Sequence, residues 1–516
     1  GQLALGFERA LPDLGQNIRC GNSLIGWDYF QGQMFPDEEE IHRVNPFDWQ
    51  RAFPPVFAAG GFDAVIGNPP YIRIQALKDS DAKQLDYYKL LFESARRGNY
   101  DIYVLFIELA LRLINQSGRS GYIVPSKFFT TDYGEAIREV ILRNKSLTKV
   151  VDFGSNQVFD QASIYTCLIF LSGPPNSYLE YSTPIEPKDL VEADTSIITL
   201  PEEKETWVFY DEKEKNILKK LFQNSTKLGM LPARIGRGSS SGNDKVFILR
   251  KQGNIFVASN GDEVMVEKEI LRIPIFAPNI RRYQFDPDDD NVIIFPYEVS
   301  EDGYSLYSER RLKSLFPLTY EYLLNQKKVL QRRKHTGAWY GFSAPRNLNI
   351  HDKAVFYVPL LANKGTFTMV GGQPHEYCLM AGGGFSITID KIERNPYYIL
   401  GLLNSNLVFW YLSKISNIFR GGWITCTKQY VEELPIYDIN TSKPDEVKIS
   451  NRIVELVTFL IELLKKTAET PREKQQLTDL ITRTDSAIDQ LVYELYGLSK
   501  EEIGVIEESF QQEIYV

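Results

Sequence analysis

Between residues 17 and 171, short apolar runs alternate with stretches in which apolar side chains recur every three or four positions. That alternation predicts an α/β sheet whose strands are joined by crossover helices. The runs place strands at 17–20, 62–67, 121–124, 147–153 and 164–171, and helices at 102–115 and 134–144. The last two strands follow one another without a helix, so one of them should run antiparallel at the sheet edge. Residues 173–227 read as a connector with a charged helix at 213–222. From 230 to 440 the pattern turns to short strands, Gly-rich and Pro-rich turns and scattered aromatics, which predicts an irregular α+β or mainly β domain beginning near 228. At the end, Ile453, Val457, Leu460 and Leu464 recur at helical spacing, as do Leu477, Ile481, Ile488, Leu491 and Leu495, with Pro471 between the runs. Two packed antiparallel helices follow. The expected domains are therefore 1–172, 173–227 (connector), 228–440 and 441–516.

Composition changes this picture little. A chain of 516 residues with 43% hydrophobic and 24% charged positions can fill two or three cores and is not disordered. No apolar run approaches the roughly 20 residues of a membrane span, and the N-terminus lacks a secretory layout, so a cytoplasmic protein with no membrane partner is expected. Cys20, Cys167, Cys378 and Cys426 lie far apart, which predicts reduced, mostly buried thiols and neither a metal site nor a disulfide framework. The net charge of −9 excludes a uniformly basic coat but not a local basic cleft.

The most informative chemistry lies at 60–71, a strand ending in Asn68-Pro69-Pro70-Tyr71. Two prolines remove backbone donors and restrict the chain, so carbonyl groups there remain free to accept hydrogen bonds. Asn68 adds an acceptor and Tyr71 a flat ring. Such a set suits the exocyclic amine of an aromatic base, whose nitrogen becomes nucleophilic when acceptors hold its hydrogens in a more tetrahedral geometry. Read blandly, the same residues are a strand and a Pro turn. Asn22 follows the first predicted strand, where α/β proteins bind ligands, although a turn residue also explains it.

Further along, several basic clusters fall in the irregular domain: Arg234 and Arg237 with Asn243, Arg281 with Arg282, Arg332-Arg333-Lys334 followed by Trp339, and Arg420 with Lys428. Any one of them is most simply a solvated surface. Together, with aromatics interleaved, they point to double-stranded DNA.

The run from Asn45-Pro46-Phe47-Asp48-Trp49 through Gly60-Gly61-Phe62-Asp63 to Tyr71 resembles the gamma-class amino-methyltransferases of type II restriction-modification systems, both TaqI-like and fused type IIG. Asp101-Ile102-Tyr103, Gly121-Tyr122-Ile123-Val124-Pro125 and Asn156-Gln157-Val158-Phe159 continue the likeness in order. The resemblance implies the C-terminal part of a Rossmann-like methyltransferase sheet, followed by a target-recognition domain and a helical pair. It implies S-adenosylmethionine as methyl donor and the N6 amine of a flipped-out adenine as target. Asn68, Pro69, Pro70 and Tyr71 become catalytic, Tyr71 and Phe159 base-stacking, and Asn22 and Asn68 cofactor-binding. Phe159 as ordinary core remains an open alternative.

The family's glycine-rich donor loop should lie ahead of residue 17, so the chain alone is expected to bind the donor poorly and to be inactive. A fused or separate nuclease is a possible partner, and two other readings stay open: the modification and recognition part of a type IIG enzyme, or a non-catalytic DNA-binding specificity module.

Overall fold

The computed structural model describes residues 15, 17–33, 35–78, 81–154, 158, 165–184, 188–189, 195–201, 206–253, 255–300, 303–334, 337–390, 394–419 and 423–511. The chain divides into two compact units, Gly1–Asp211 and Glu212–Val516.

The first unit is built on a six-stranded sheet of order β1-β2-β4-β3-β5-β6. Its strands are β1 (Phe62–Gly67), β2 (Ile114–Pro125), β3 (Leu147–Asp152), β4 (Thr166–Ser172), β5 (Tyr178–Ser182) and β6 (Thr195–Thr199). Helix α1 (Tyr103–Leu113) runs directly into β2 and is apolar on nearly every face, so it is interior. Tyr103, Val104, Leu105 and Ile107 are inaccessible to solvent. Helix α2 (Glu135–Asn144) is amphipathic, turns Ile137, Val140 and Ile141 inward and ends at Lys145 in a left-handed conformation (φ 48°). Each buried aliphatic of this kind contributes about 1.5–3 kcal/mol.

Three expectations need correction. β4 is antiparallel as expected, but to both β2 and β3, and it lies inside the sheet instead of at its edge. Cys167, Ile169 and Leu171 along it are fully buried, a demand that an edge position would not meet. The stretch read as a connector supplies β5 and β6, because Leu179 and Ile198 give it an apolar face to bury on the sheet. The strand expected at 17–20 does not form: these residues are exposed, Ile18 included, and have no face to cover.

The second unit begins with α3 (Glu212–Gln223), whose Ile217 and Leu221 are buried, so the charged helix belongs here. It holds several small sheets. One, of order β9-β8-β10-β7, joins β7 (Ala233–Arg237), β8 (Phe356–Val358), β9 (Thr368–Met369) and β10 (Phe385–Ile389). A six-stranded sheet joins Ile248–Gln252 and Asn291–Ile294 to their neighbours.

The helical end forms as expected, with α4 (Pro444–Leu464) packed on α5 (Pro471–Leu495) through Ile453, Val457, Ile488 and Val492. Pro471 opens α5 at a position where its missing N–H costs nothing, within a capping box made by Thr470 and Glu473. A further helix, α6 (Lys500–Gln511), was not anticipated. Cys167, Cys378 and Cys426 are buried free thiols and Cys20 is exposed. No helix among the described residues is long and apolar enough to cross a membrane.

Candidate functional site

β1 pairs in parallel with β2, Gly67 opposite Tyr122. A Cβ at Gly67 would lie 3.0 Å from the Tyr122 ring, so glycine lets the strand end pass close over it. The chain then turns: Asn68 is exposed, Pro69 buried and Pro70 exposed. Among the described residues, neither the Asn68 side chain nor the carbonyls of Pro69 and Pro70 have a hydrogen-bond partner.

Tyr71 is half-buried. Its hydroxyl donates to the Ile123 carbonyl of β2 at 2.9 Å, its ring meets Tyr103 edge-on at 6.2 Å, and burial pushes its pKa up to about 12. Beyond it the chain is zipped to 100–102: Ile102 N–H donates to Ile72 O at 2.9 Å and Ile74 N–H to Tyr100 O at 3.0 Å. Three acceptors without a partner among the described residues, the Asn68 side chain and the two proline carbonyls, thus stand at the carboxyl end of a strand, on a turn held from both sides.

The zipper also brings up a group that motif reading treated only as helix start. Asp101, half-buried, has its carboxyl pKa raised by burial, against the opposing pull of Arg73 and Lys127. The Tyr133 hydroxyl lies 2.9 Å from that of Tyr103 and 3.5 Å from the Asp101 carboxylate. The acidic residue directly before α1 was the available signal. Asn22 takes the turn role: its side-chain oxygen accepts from Leu24 N–H at 3.1 Å, and its backbone N–H donates to Asn45 O at 2.6 Å.

In the second unit the basic clusters split. Arg282 is internal, not surface: it is bidentate to Asp485 of α5 and donates to the carbonyls of Gly365 and Asn404. Its neighbour Arg281 is exposed and pairs loosely with Asp286 at 3.5 Å. Arg281 ends a two-residue strand and Arg282 opens the tight turn that follows, so the two side chains leave the chain in different directions. Arg333 is likewise engaged, donating to the carbonyls of Ser241, Trp339 and Gly341, whereas Arg332 and Lys334 are exposed.

Trp339 is buried and cannot stack on a base from its present position. Arg234 reaches Asp390 at 3.4 Å. Asn243 precedes a short helix at Asp244–Phe247, Lys428 is exposed beside Glu432, and the Arg237 side chain is exposed. Arg346, absent from the motif reading, joins this set. Phe159 and Arg420 lie outside the described residues.

Comparison with known proteins matches residues 8–159 to the Eco57I restriction-modification methylase family and residues 373–436 to the TaqI-like C-terminal specificity domain. The two segments are thus similar to a restriction-modification methylase domain and to a specificity domain. Relatives include the type II restriction enzyme and methyltransferase RM.Eco57I of Escherichia coli, 28% identical over 97% of this chain and 52% of the relative. The type II methyltransferase M.BstVI of Geobacillus stearothermophilus is 21% identical over 87% of this chain and 76% of its own length. The chain spans about half the length of the Escherichia coli relative. In fold, it is similar to the type IIL restriction-modification enzyme MmeI, solved in complex with DNA (TM-score 0.55, 11% identity, 90% of this chain and 59% of that one).

The strand-end turn and Asn22 both fall within the segment similar to the methylase family, while Lys428 falls within the segment similar to the specificity domain. A methylase domain implies S-adenosylmethionine as donor. The described residues fit this group only in part. Asn68 offers an unpartnered amide at the strand end, but the oxygen of Asn22 is already used in its own turn.

Proposed function

We propose that this chain is the modification and recognition part of a type II restriction-modification enzyme, and that it directs methyl transfer to the N6 amine of adenine in duplex DNA. The observation that carries the reading is the pair of unpartnered acceptors, the Asn68 side chain and the Pro69 carbonyl, on a turn that prolines and the Tyr71 anchor hold in place. An amine whose two hydrogens are held by these acceptors keeps its lone pair out of the ring, and no metal or strong base is needed for it to act as nucleophile. The donor, when bound, supplies the electrophilic methyl group.

A base inside a duplex cannot reach this turn, so the adenine must be rotated out and held between flat faces, which we assign to Tyr71 and Phe159. Recognition falls to the second unit, where Arg237, Arg281, Arg332, Lys334 and Lys428 are the exposed candidates for DNA contact. The family likeness and the DNA-bound relative in fold support this assignment. A nuclease fused in the same polypeptide is the second reading, favoured by the double activity in the name of the Escherichia coli relative. A specificity module without catalysis would have no use for the acceptor turn.

The test is methyl incorporation from S-adenosylmethionine into duplex DNA by the whole protein, with the product base identified by mass spectrometry. Asn68→Ala is expected to lower the rate on the order of 100-fold or more while leaving duplex affinity nearly unchanged. Transfer at the wild-type rate, or a methylated base other than adenine, would defeat the proposal.

A further inference from the structure

Beneath the surface of the second unit, two segments far apart in the chain are laced into one seam. Ser239 Oγ donates to the Arg346 carbonyl at 3.0 Å and accepts from the Arg346 N–H at 2.9 Å, across 107 residues of sequence. Ser240 and Ala344 exchange backbone hydrogen bonds at 3.0 and 3.1 Å. Asn347 Nδ2 donates to the Arg237 carbonyl at 3.1 Å. Asn347 itself is left-handed (φ 53°), a conformation asparagine tolerates better than most residues. A Cβ at Gly236 would lie 2.7 Å from that of Asn347, so glycine lets the Asn347 side chain lie directly on the strand.

Support continues on both sides. His351 beneath the seam is buried, and burial pushes its pKa down to about 4. Its Nδ1 is 2.7 Å from Ser386 Oγ. The half-exposed Tyr304 donates its hydroxyl to Pro345 O at 3.0 Å, which places a ring beside Arg346.

The backbones of Arg237 and Arg346 are thus fixed, yet their guanidinium groups have no hydrogen bond or ion pair among the described residues. Arg250, Arg310 and Arg332 also lack an ion pair among the described residues, whereas Arg234, Arg272, Arg282, Arg311 and Arg394 find carboxylates; what sets Arg237 and Arg346 apart is that their backbones are joined in one hydrogen-bonded seam. Two like charges thus leave one seam with their side chains unpaired among the described residues, which suits an acceptor-rich ligand. Rigid support distinguishes what kind. A phosphate is present at every step of a duplex, and a flexible lysine on an exposed loop serves it well. The two acceptors on a guanine edge suit a planar two-pronged donor, which an arginine rooted on a fixed backbone supplies.

We infer that Arg237 and Arg346 read guanine edges in the recognised duplex, with Arg346 a specificity-determining residue. The inference rests on the DNA-recognition reading above. Its test uses the whole protein and a pool of duplexes with a randomised central segment, selected at one fixed salt concentration. The wild type should enrich a sequence containing guanine. Arg346→Ala and Arg237→Ala should each flatten the preference at a guanine position, on the order of 10- to 100-fold in relative affinity. Arg346→Lys should flatten it too, since lysine keeps the charge but not the fork. Melting temperatures should stay near wild type, because these guanidinium groups hold nothing inside the protein.

A uniform loss across all sequences, rescued by Arg346→Lys and accompanied by a salt slope shallower by about one, would mean phosphate contact and overturn the inference. So would loss of preference at positions other than guanine. Wild-type selection with unchanged selection by both variants removes this inference alone. A wild-type protein that selects nothing and binds no duplex removes the DNA-recognition reading with it.

Discussion

The acceptor turn of the first unit and the basic segments of the second carry their chemistry in opposite ways. At Asn68-Pro69-Pro70-Tyr71, four consecutive residues bring their own rigidity, and the Asn68 side chain and the proline carbonyls have no hydrogen-bond partner among the described residues. In the second unit, neighbours along the chain part company: Arg281 and Arg332 face solvent while Arg282 and Arg333 are bonded inside. The difference teaches that a motif whose geometry comes from covalent constraint survives transfer from sequence to structure. A charge cluster does not, because each charge settles its fate with partners from elsewhere in the chain.

The sharpest way to break this comparison is to exchange the two fates. Arg282→Ala leaves Asp485 without its bidentate partner and two carbonyls without their donor. Removing one member of a buried pair costs about 3–5 kcal/mol, so a marked fall in melting temperature is expected. Arg281→Ala should change stability by no more than about 0.5 kcal/mol. Equal effects of the two substitutions would show that Arg282 is not the internal group seen here.

A second test uses two buried groups of the same unit whose pKa shifts have opposite signs. His351 is held below its ordinary value, so the unfolded chain takes up a proton near pH 6.5 while the fold resists until about 4. Its contribution is present above pH 6.5 and is lost as pH falls through that window. Asp489, which accepts from Asn406 N–H at 2.7 Å, is raised by burial to about 7. Its contribution is present below about pH 4 and is lost as pH rises through 7. The slopes integrate to about 3 kcal/mol for His351 and about 4 kcal/mol for Asp489, and they oppose one another. Denaturant titrations between pH 4 and 7 should therefore show stability falling with rising pH in His351→Gln, and rising with pH in Asp489→Asn. Parallel wild-type and variant curves would contradict both assignments.

The smallest effect sharpens the other side. Tyr71→Phe removes the hydrogen bond to Ile123 O and keeps the ring, at a cost of about 1 kcal/mol in stability. Methyl transfer should survive at a reduced rate. If Tyr71→Phe abolishes transfer as Asn68→Ala is expected to, the hydroxyl does more than anchor the ring.

The legible part of the fold follows the same division. The apolar periodicities located β1, the helices α1, α2, α4 and α5, and the end of β2, because each of these buries a face that its own residues define. The place of β4 between β2 and β3 was not legible, since strand order depends on which edges are open when the chain returns. β5 and β6 were missed because single buried residues, Leu179 and Ile198, anchor short strands with little periodicity of their own.

By itself, the sequence determined the α/β character of the first unit, the helical end and the acceptor turn, all of which rest on local periodicity, chain stiffness and the absence of backbone donors at proline. Tertiary structure alone decided which arginines face outward, that Trp339 is buried, and that Arg346 stands beside Arg237. Those outcomes depend on hydrogen bonds between residues as much as 203 positions apart, such as Arg282 to Asp485, and no local pattern encodes which distant carbonyl or carboxylate a side chain will find.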